Sequence, residues 1–499
     1  MITAIDRLVD YALSRQLIEA CERRYRTNLL YGAFCVDGGV PQIGDTQTDS
    51  LQSLLDFLCD EAVRIGRIAD TSGSRDRFDS LLMGLVMESP AVIIKRFAML
   101  YKQLPQDATD WFYQVSRDSN YIRSERVAKD VRWDAQTEYG RLELSINLSK
   151  PEKDPRDIAA AGKATSVSYP ACALCADNEG YAGSVTQQAR QNLRIIPLSI
   201  HGEEWGMQYS PYVYYDEHCI VLNMEHKPMR IDAAIFDKLL DFIDQFPHYF
   251  IGSNADLPIV GGSILSHEHF QGGRHVLPMA NAAMETPVVF DKHKNITAGI
   301  VKWPMSVLRL QGKDRKELAT LAAEVLAAWR EYSDESAFIF SQTDGEDHNT
   351  ITPIARMRGD LYELDLVLRN NITTPQHPLG VFHPHAHLHH IKRENIGLIE
   401  VQGLAVLPSR LCKEIEMLSN VYREGGDFSS LPETAPHAEW MADVLMRRQD
   451  LTVNNFDQII KEEIAVVFSQ VLEDAGVFKR NEAGKNAFLR FLSTVGAYC

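Results

Sequence analysis

Histidine is missing from the first 200 residues of this 499-residue chain: all 16 lie between His201 and His437. An even scatter would put about six there, so imidazole chemistry belongs to the middle of the chain. Cysteine is also scarce, eight in all with only Cys172 and Cys175 close together, which excludes a disulfide framework and predicts reduced thiols. No uninterrupted apolar run approaches the ~20 residues that cross a bilayer. The N-terminus carries Asp6 and Asp10 inside its apolar stretch and no cleavage signature follows, so the chain is expected in the cytoplasm. Positive charge is in deficit: 51 Lys and Arg against 68 Asp and Glu leave a formal −17. That balance argues against nucleic acid or an anionic membrane as partner and confines any phosphate chemistry to a local site.

What is present is enough apolar material, 45% of residues, to fill real cores in about three domain-sized units. From Ile5 to about Leu104 apolar residues recur at helical spacing, as in Leu8, Tyr11, Ala12, Ile18 and later Leu51, Leu54, Leu55, Leu58. Residues 1–150 are expected to be a mainly helical region. An alternating run near residue 140 leads into a charged, proline-bearing connector, where a boundary is placed. Short β-like runs follow (Tyr212–Tyr215, Cys219–Leu222), then a helical pattern over Ile231–Phe246 and a β-type segment ending in histidines. The order recurs: strand-like Ile300–Leu310, helical Lys316–Tyr332, strand-like Ala337–Phe340 and Leu361–Leu368, and a second histidine-rich stretch at 383–390. This predicts an internal duplication over 151–298 and 299–410, followed by helices over 411–499.

The sharpest motif is Ser266-His267-Glu268-His269-Phe270-Gln271-Gly272-Gly273. Extended, it puts His267, His269 and Gln271 on one face and Glu268 and Phe270 on the other. An imidazole attacks phosphorus well when one ring nitrogen is held as a donor, and a glutamine beside it can donate to a phosphoryl oxygen. The flanking pairs Gly261-Gly262 and Gly272-Gly273 would let backbone approach a ligand, and Ser263 and Ser266 could add hydroxyl donors.

Cys172-Ala-Leu-Cys175 has the spacing that lets two thiolates grip one zinc, with His226 and His267 as candidates for the remaining ligands. The density of His383-Pro-His385-Ala-His387-Leu-His389-His390 suits a metal or a polyphosphate subsite, and His348 could join it. Lys392 and Arg393 directly after it, and Arg356 and Arg358 on one face of a predicted strand, are candidate phosphate clamps.

Taken together, Cys-Ala-Leu-Cys-Ala-Asp-Asn-Glu-Gly-Tyr (172–181), Gln-Tyr-Ser-Pro-Tyr (208–212), the 266–273 motif, His-Asn-Thr-Ile-Thr-Pro-Ile-Ala-Arg (348–356) and Tyr-Glu-Leu-Asp-Leu-Val-Leu-Arg-Asn-Asn (362–371) resemble the second class of galactose-1-phosphate uridylyltransferase over nearly the whole chain. The first class resembles the histidine-triad superfamily, and this implies an α+β fold: two related halves with antiparallel sheets, plus helical N- and C-terminal regions. The active sequence of that class, His-Pro-His-x-Gln, aligns with His267–Gln271, implying His269 as nucleophile and Gln271 as its phosphoryl-binding partner. The same resemblance puts His267 with Cys172, Cys175 and His226 around a structural zinc and Asn254 beside the site. It assigns the later histidines, with His348, His385 and His387 as ligands, to a possible second metal. Glu268 stands here where the first class has proline.

The implied reaction carries a uridylyl group from UDP-glucose to galactose 1-phosphate through a covalent uridylyl-histidine, and the resemblance also implies a homodimer. Two other readings of the same residues are a histidine- and metal-dependent hydrolase of nucleotides or sugar phosphates, and a zinc-stabilised sugar-nucleotide sensor without catalysis.

Overall fold

The computed structural model describes residues 1–39, 50–148, 169–262 and 264–498. The expected connector after residue 148 and Ser263 lie outside the described residues. The chain forms two compact units, the first comprising Met1–Lys129, Ser149–Val213 and Glu217–Lys227 and the second Asp130–Leu148, Tyr214–Asp216 and Pro228–Cys499. No helix among the described residues is long and apolar enough to cross a membrane.

In the first unit the helical spacing becomes buried faces. Ile5, Leu8, Val9 and Ala12 line the inner stripe of Ile2–Ser14, while Leu54, Leu55, Leu58 and Ala62 line that of Leu51–Arg64. Ser50 starts the latter helix by accepting from the Ser53 amide, and Thr71 does the same for Ser72–Leu85 through Ser74. Proline opens both Pro90–Tyr101 and Pro105–Asp118, where its missing N–H costs nothing. Three antiparallel strands, Ile196–Ile200, Glu203–Tyr209 and Cys219–Asn223, complete the unit. The Tyr209 hydroxyl donates to the Thr109 carbonyl at 3.0 Å, tying a strand to a helix.

The second unit is built on an antiparallel sheet whose successive neighbours include Met284–Phe290, Thr297–Val301, Val307–Gly312, Leu361–Asn370, Asn349–Arg358, Phe250–Gly252 and His269–Gly273. Two helices, Ala234–Gln245 and Arg315–Glu331, cover one face. The second is started by Asp314, which accepts from the amides of Lys316 and Glu317. Register distinguishes the faces. Ile354 pairs with Gly252 and Asp365, and Gly252 pairs with Gln271. The side chains of Gln271, His269, Ile354, Asp365 and Arg369 therefore share the face away from those helices. A helix–strand–strand order thus occurs twice, as 234–245, 250–252, 269–273 and as 315–331, 349–358, 361–370. The outer strand of the second round is Leu361–Asn370, not the histidine-rich stretch. A parallel addition, Leu404–Leu407 on the hairpin Val131–Ile146, and helices from Arg410 to Ala475 bury Trp303, Phe456, Ile460 and Phe468 in a core that also takes in Phe250, Ile354 and Val367 of the sheet.

Three sequence expectations are corrected. Tyr212–Tyr215 is a turn with Val213 at φ 42°, and Ala337–Phe340 begins as a short 3-10 turn ended by Phe338 at φ 56°. The 383–390 stretch is not a strand: Ala386–Leu388 is a 3-10 turn. Pro384 brings no N–H, and the imidazoles of His385 and His389 bond to the carbonyls of Val381 and Pro384, so the chain folds on itself.

Candidate active site

Extended structure begins at His269, one strand wide on either side of tight backbone contact. A Cβ on Gly272 would sit 2.4 Å from the Phe250 carbonyl oxygen, one on Gly261 2.4 Å from the Ala255 carbonyl, and one on Gly262 2.6 Å from Asn254 Nδ2. At these glycines the absence of a side chain permits close packing of chain on chain. Glu268 points to the helix-covered side, where its carboxylate takes the Lys238 ammonium at 2.7 Å, both groups buried. That ion pair anchors the strand to the helix Ala234–Gln245.

His269 is 5% exposed. Its Nδ1 lies 2.8 Å from the His267 carbonyl oxygen; since a carbonyl only accepts, Nδ1 carries the proton and Nε2 keeps its lone pair. Burial pushes the imidazole pKa down to about 4 against that hydrogen bond, so the ring is neutral. Asn254 lies two residues past the end of Phe250–Gly252, whose last residue pairs with Gln271. It is buried, and its Oδ1 accepts from the Leu398 amide at 2.9 Å.

Cys172, Cys175, His226 and His267 each offer one ligand atom, and these atoms lie within 4.8 Å of one another. The Cys172 and Cys175 sulfurs are 3.5 Å apart and the Cys175 sulfur is 3.0 Å from His226 Nδ1. Metal–sulfur bonds of about 2.3 Å and metal–nitrogen bonds of about 2.0 Å give a tetrahedron with edges of roughly 3.3–3.8 Å, so two thiols and two imidazoles this close fit a metal ion. Burial, then the neighbouring Cys172, pushes the Cys175 thiol up; a divalent cation reverses that preference and binds the thiolates.

The other candidates are placed differently. Ser266 is exposed. Arg356 and Arg358, expected at a phosphate, are engaged in an ion cluster: Arg356 binds Asp365 at 2.7 and 2.8 Å and also Glu363, while Arg358 binds Glu363 at 2.5 and 2.8 Å. Arg309 joins Asp365 at 2.7 and 2.9 Å. Lys392 is buried on Glu400 at 3.0 Å and the Val406 carbonyl at 2.9 Å, whereas Arg393 is exposed. His348 lies between Thr343 and Asn371, His385 bonds the Val381 carbonyl and stacks on His377, and His387 is exposed. Among the described residues the Cys172 set is the one group of three or more potential metal ligands, so His348, His385 and His387 do not converge.

The sequence reading missed Arg369, which shares a face with His269, and the carboxylates Glu363 and Asp365. Their signal was the period-two placement of charge at Glu363, Asp365 and Arg369 in an otherwise apolar run, Glu363-Leu-Asp365-Leu-Val-Leu-Arg369.

Two family models match in succession: the N-terminal domain of galactose-1-phosphate uridyl transferase over residues 43–228 and its C-terminal domain over 242–441. The chain belongs to the galactose-1-phosphate uridylyltransferase family. Relatives of that name from Fusobacterium nucleatum and Bacillus subtilis are each 50% identical, over 99% and 100% of this chain and 98% of their own lengths. A third, from Clostridium acetobutylicum, is 48% identical over 98% of this chain and 99% of its own. The first matched domain ends just before the helix Ala234–Gln245 and the second begins within it.

Proposed function

We propose that this chain transfers a uridylyl group from UDP-glucose to galactose 1-phosphate, giving UDP-galactose and glucose 1-phosphate, with His269 as the nucleophile. The observation that carries the reading is the hydrogen bond from His269 Nδ1 to the His267 carbonyl, which leaves Nε2 as the one basic nitrogen of a neutral, oriented ring. Nε2 attacks the α-phosphorus; a P–N bond forms as the P–O bond to glucose 1-phosphate breaks, and the leaving phosphate takes the electron pair. A phosphate oxygen of galactose 1-phosphate then attacks the same phosphorus and the P–N bond breaks, restoring the neutral ring.

Little proton transfer is needed, so catalysis is positioning and support of charge on phosphoryl oxygens. The amides of Gln271 and Asn254 supply donors, and Ser266 a hydroxyl at the rim. Cys172, Cys175, His226 and His267 would hold a zinc ion, which would supply a structural tether on His267. Through the His267 carbonyl that tether would reach His269.

Incubation with UDP-glucose labelled in the uridylyl group tests this. Label is expected on a peptide containing His267–Gln271, stable to alkali and labile to acid, and lost in His269→Ala. Label on the 383–390 peptide, or hydrolysis of UDP-glucose without any labelled protein, would overturn it.

A further inference from the structure

Arg369 is 1% exposed, yet among the described residues no carboxylate lies within ion-pair distance of it, and its Nε and Nη1 have no hydrogen-bond partner. Its contact is a single one: Nη2 donates to the Ile396 carbonyl at 2.9 Å. A buried guanidinium with one hydrogen bond is costly, since desolvating a cation is offset only by close charges and filled hydrogen bonds, and here the charge that acts on it, Glu400, lies beyond ion-pair distance. Its neighbours on the same strand face, Glu363 and Asp365, are fully paired, so the sheet does not lack the means to satisfy an arginine. Arg369 is spent on a backbone carbonyl.

That carbonyl lies two residues before the Leu398 amide, which donates to Asn254 Oδ1 at 2.9 Å. Between the two contacts the chain is held again: the Gly397 amide donates to Glu400 Oε2 at 3.0 Å, and Glu400 Oε1 takes the buried Lys392 ammonium at 3.0 Å. Ile396 and Leu398 are each 1% exposed. The Leu398 amide decides which end of the Asn254 carboxamide is which. With Oδ1 occupied, Nδ2 is the free end; among the described residues it has no hydrogen-bond partner.

We infer that Arg369 is a positioning residue for uridylyl transfer: by gripping the Ile396 carbonyl it sets the Leu398 amide, which orients the Asn254 carboxamide so that Nδ2 donates to the phosphoryl group at His269. This rests on the reading of His269 as the uridylylated group. The chain of contacts is Arg369, Ile396–Leu398, Asn254, and its last member is the group that meets substrate.

The test is the single-turnover rate of protein uridylylation by labelled UDP-glucose, measured on folded, metal-loaded enzyme for Asn254→Ala, Arg369→Leu, Arg369→Lys and the Asn254→Ala/Arg369→Leu pair. Losing one donor to a developing phosphoryl charge costs on the order of 100-fold, so Asn254→Ala is expected to slow labelling about that much. Arg369→Leu is expected to slow it by roughly 10- to 100-fold. Arg369→Lys, which keeps a donor within reach, should recover most of the rate. The double variant should be no more than about 3-fold slower than the slower single, because both act through one carboxamide.

Leu398→Pro provides an independent arm. Leu398 is the first residue of the short helix Leu398–Val401, a position that tolerates proline, so this change removes the amide proton itself. It should slow labelling as Arg369→Leu does and be equally non-additive with Asn254→Ala. Multiplying effects in the double variants would overturn the inference, as would Arg369→Leu and Leu398→Pro labelling at the wild-type rate whatever their melting temperatures. Unlabelled wild-type protein would overturn the reading beneath it instead.

Discussion

Removing one negative charge from the ion cluster that shares the sheet face of His269 should destabilise the fold sharply, and Asp365→Asn is the cleanest perturbation. The Asp365 carboxylate is fully buried and accepts four charged hydrogen bonds, two each from Arg309 and Arg356. After the change Glu363 alone faces Arg309, Arg356 and Arg358, and the new amide turns an N–H toward a guanidinium. Breaking a buried pair from one side costs roughly 3–5 kcal/mol. At about 2 °C per kcal/mol for a large folding unit the melting temperature should fall by some 6–10 °C, read by circular dichroism or calorimetry. Glu433→Gln, which removes the partner of the exposed Lys413, should cause no resolvable shift. A melting temperature for Asp365→Asn within about 1 °C of wild type would mean that the cluster is hydrated and contributes little. The companion change Arg358→Ala separates structure from substrate binding: it should lower the melting temperature and leave KM for the hexose phosphate unchanged. A large rise in KM with unchanged melting would restore Arg358 as a phosphate ligand.

Replacing Cys172 by Ser should lower bound zinc and the melting temperature together, because metal affinity is folding free energy; unchanged metal content by elemental analysis would remove Cys172 as a ligand. Gly272→Ala places a methyl 2.4 Å from the Phe250 oxygen and 2.8 Å from Ile251 Cδ1, so the two strands must part by about 1 Å. A displacement of that size next to the reacting group is worth on the order of 100-fold in kcat, and near-normal turnover would refute the steric account. The pH prediction concerns Glu363. Desolvation pushes its carboxyl up, but the Arg358 hydrogen bond and the charges of Arg356 and Arg309 hold it well below the usual carboxylate range. A depressed folded value contributes stability that is complete above the unfolded pKa of about 4.3 and is lost as pH falls below it. Stability measured by urea titration should therefore drop below about pH 4.3 in wild type and drop less steeply in Glu363→Gln.

Local chemistry in the sequence reached the site more accurately than it reached the elements around it. The period-two reading of His267, His269 and Gln271 holds in the backbone for His269 and Gln271, which lie on the strand His269–Gly273, while His267 lies in the bend before it. The cysteine spacing survives because two residues between thiols suit one metal regardless of the surrounding fold. The same period-two logic failed at 383–390, where Pro384 and histidine-to-carbonyl hydrogen bonds make a turn. It also mistook Arg356 and Arg358 for phosphate clamps. Their partners, Glu363 and Asp365, lie on the next strand, and pairing across a hairpin is a property of register that spacing within one strand does not reveal.

The duplication explains why chemistry belongs to one round of the pattern. In both rounds a covering helix is followed by an inner strand and an outer strand, and the inner strands meet at Gly252 and Ile354. The outer strand of the first round presents His269 and Gln271 on the face away from the covering helices, where His269 is buried. Its counterpart, Leu361–Asn370, contains no histidine and presents Glu363, Asp365, Val367 and Arg369 there. A strand with no imidazole cannot carry a uridylyl group on one, so on the proposed reading the second round contributes support: carboxylates that lock three arginines on the same face of the sheet, and Arg369, which donates to the Ile396 carbonyl. A neutral imidazole needs its orientation fixed to a fraction of an ångström if its lone pair is to meet phosphorus. The buried ion cluster and the tight glycine contacts are means to that end, because each removes a way for the strand bearing His269 to move.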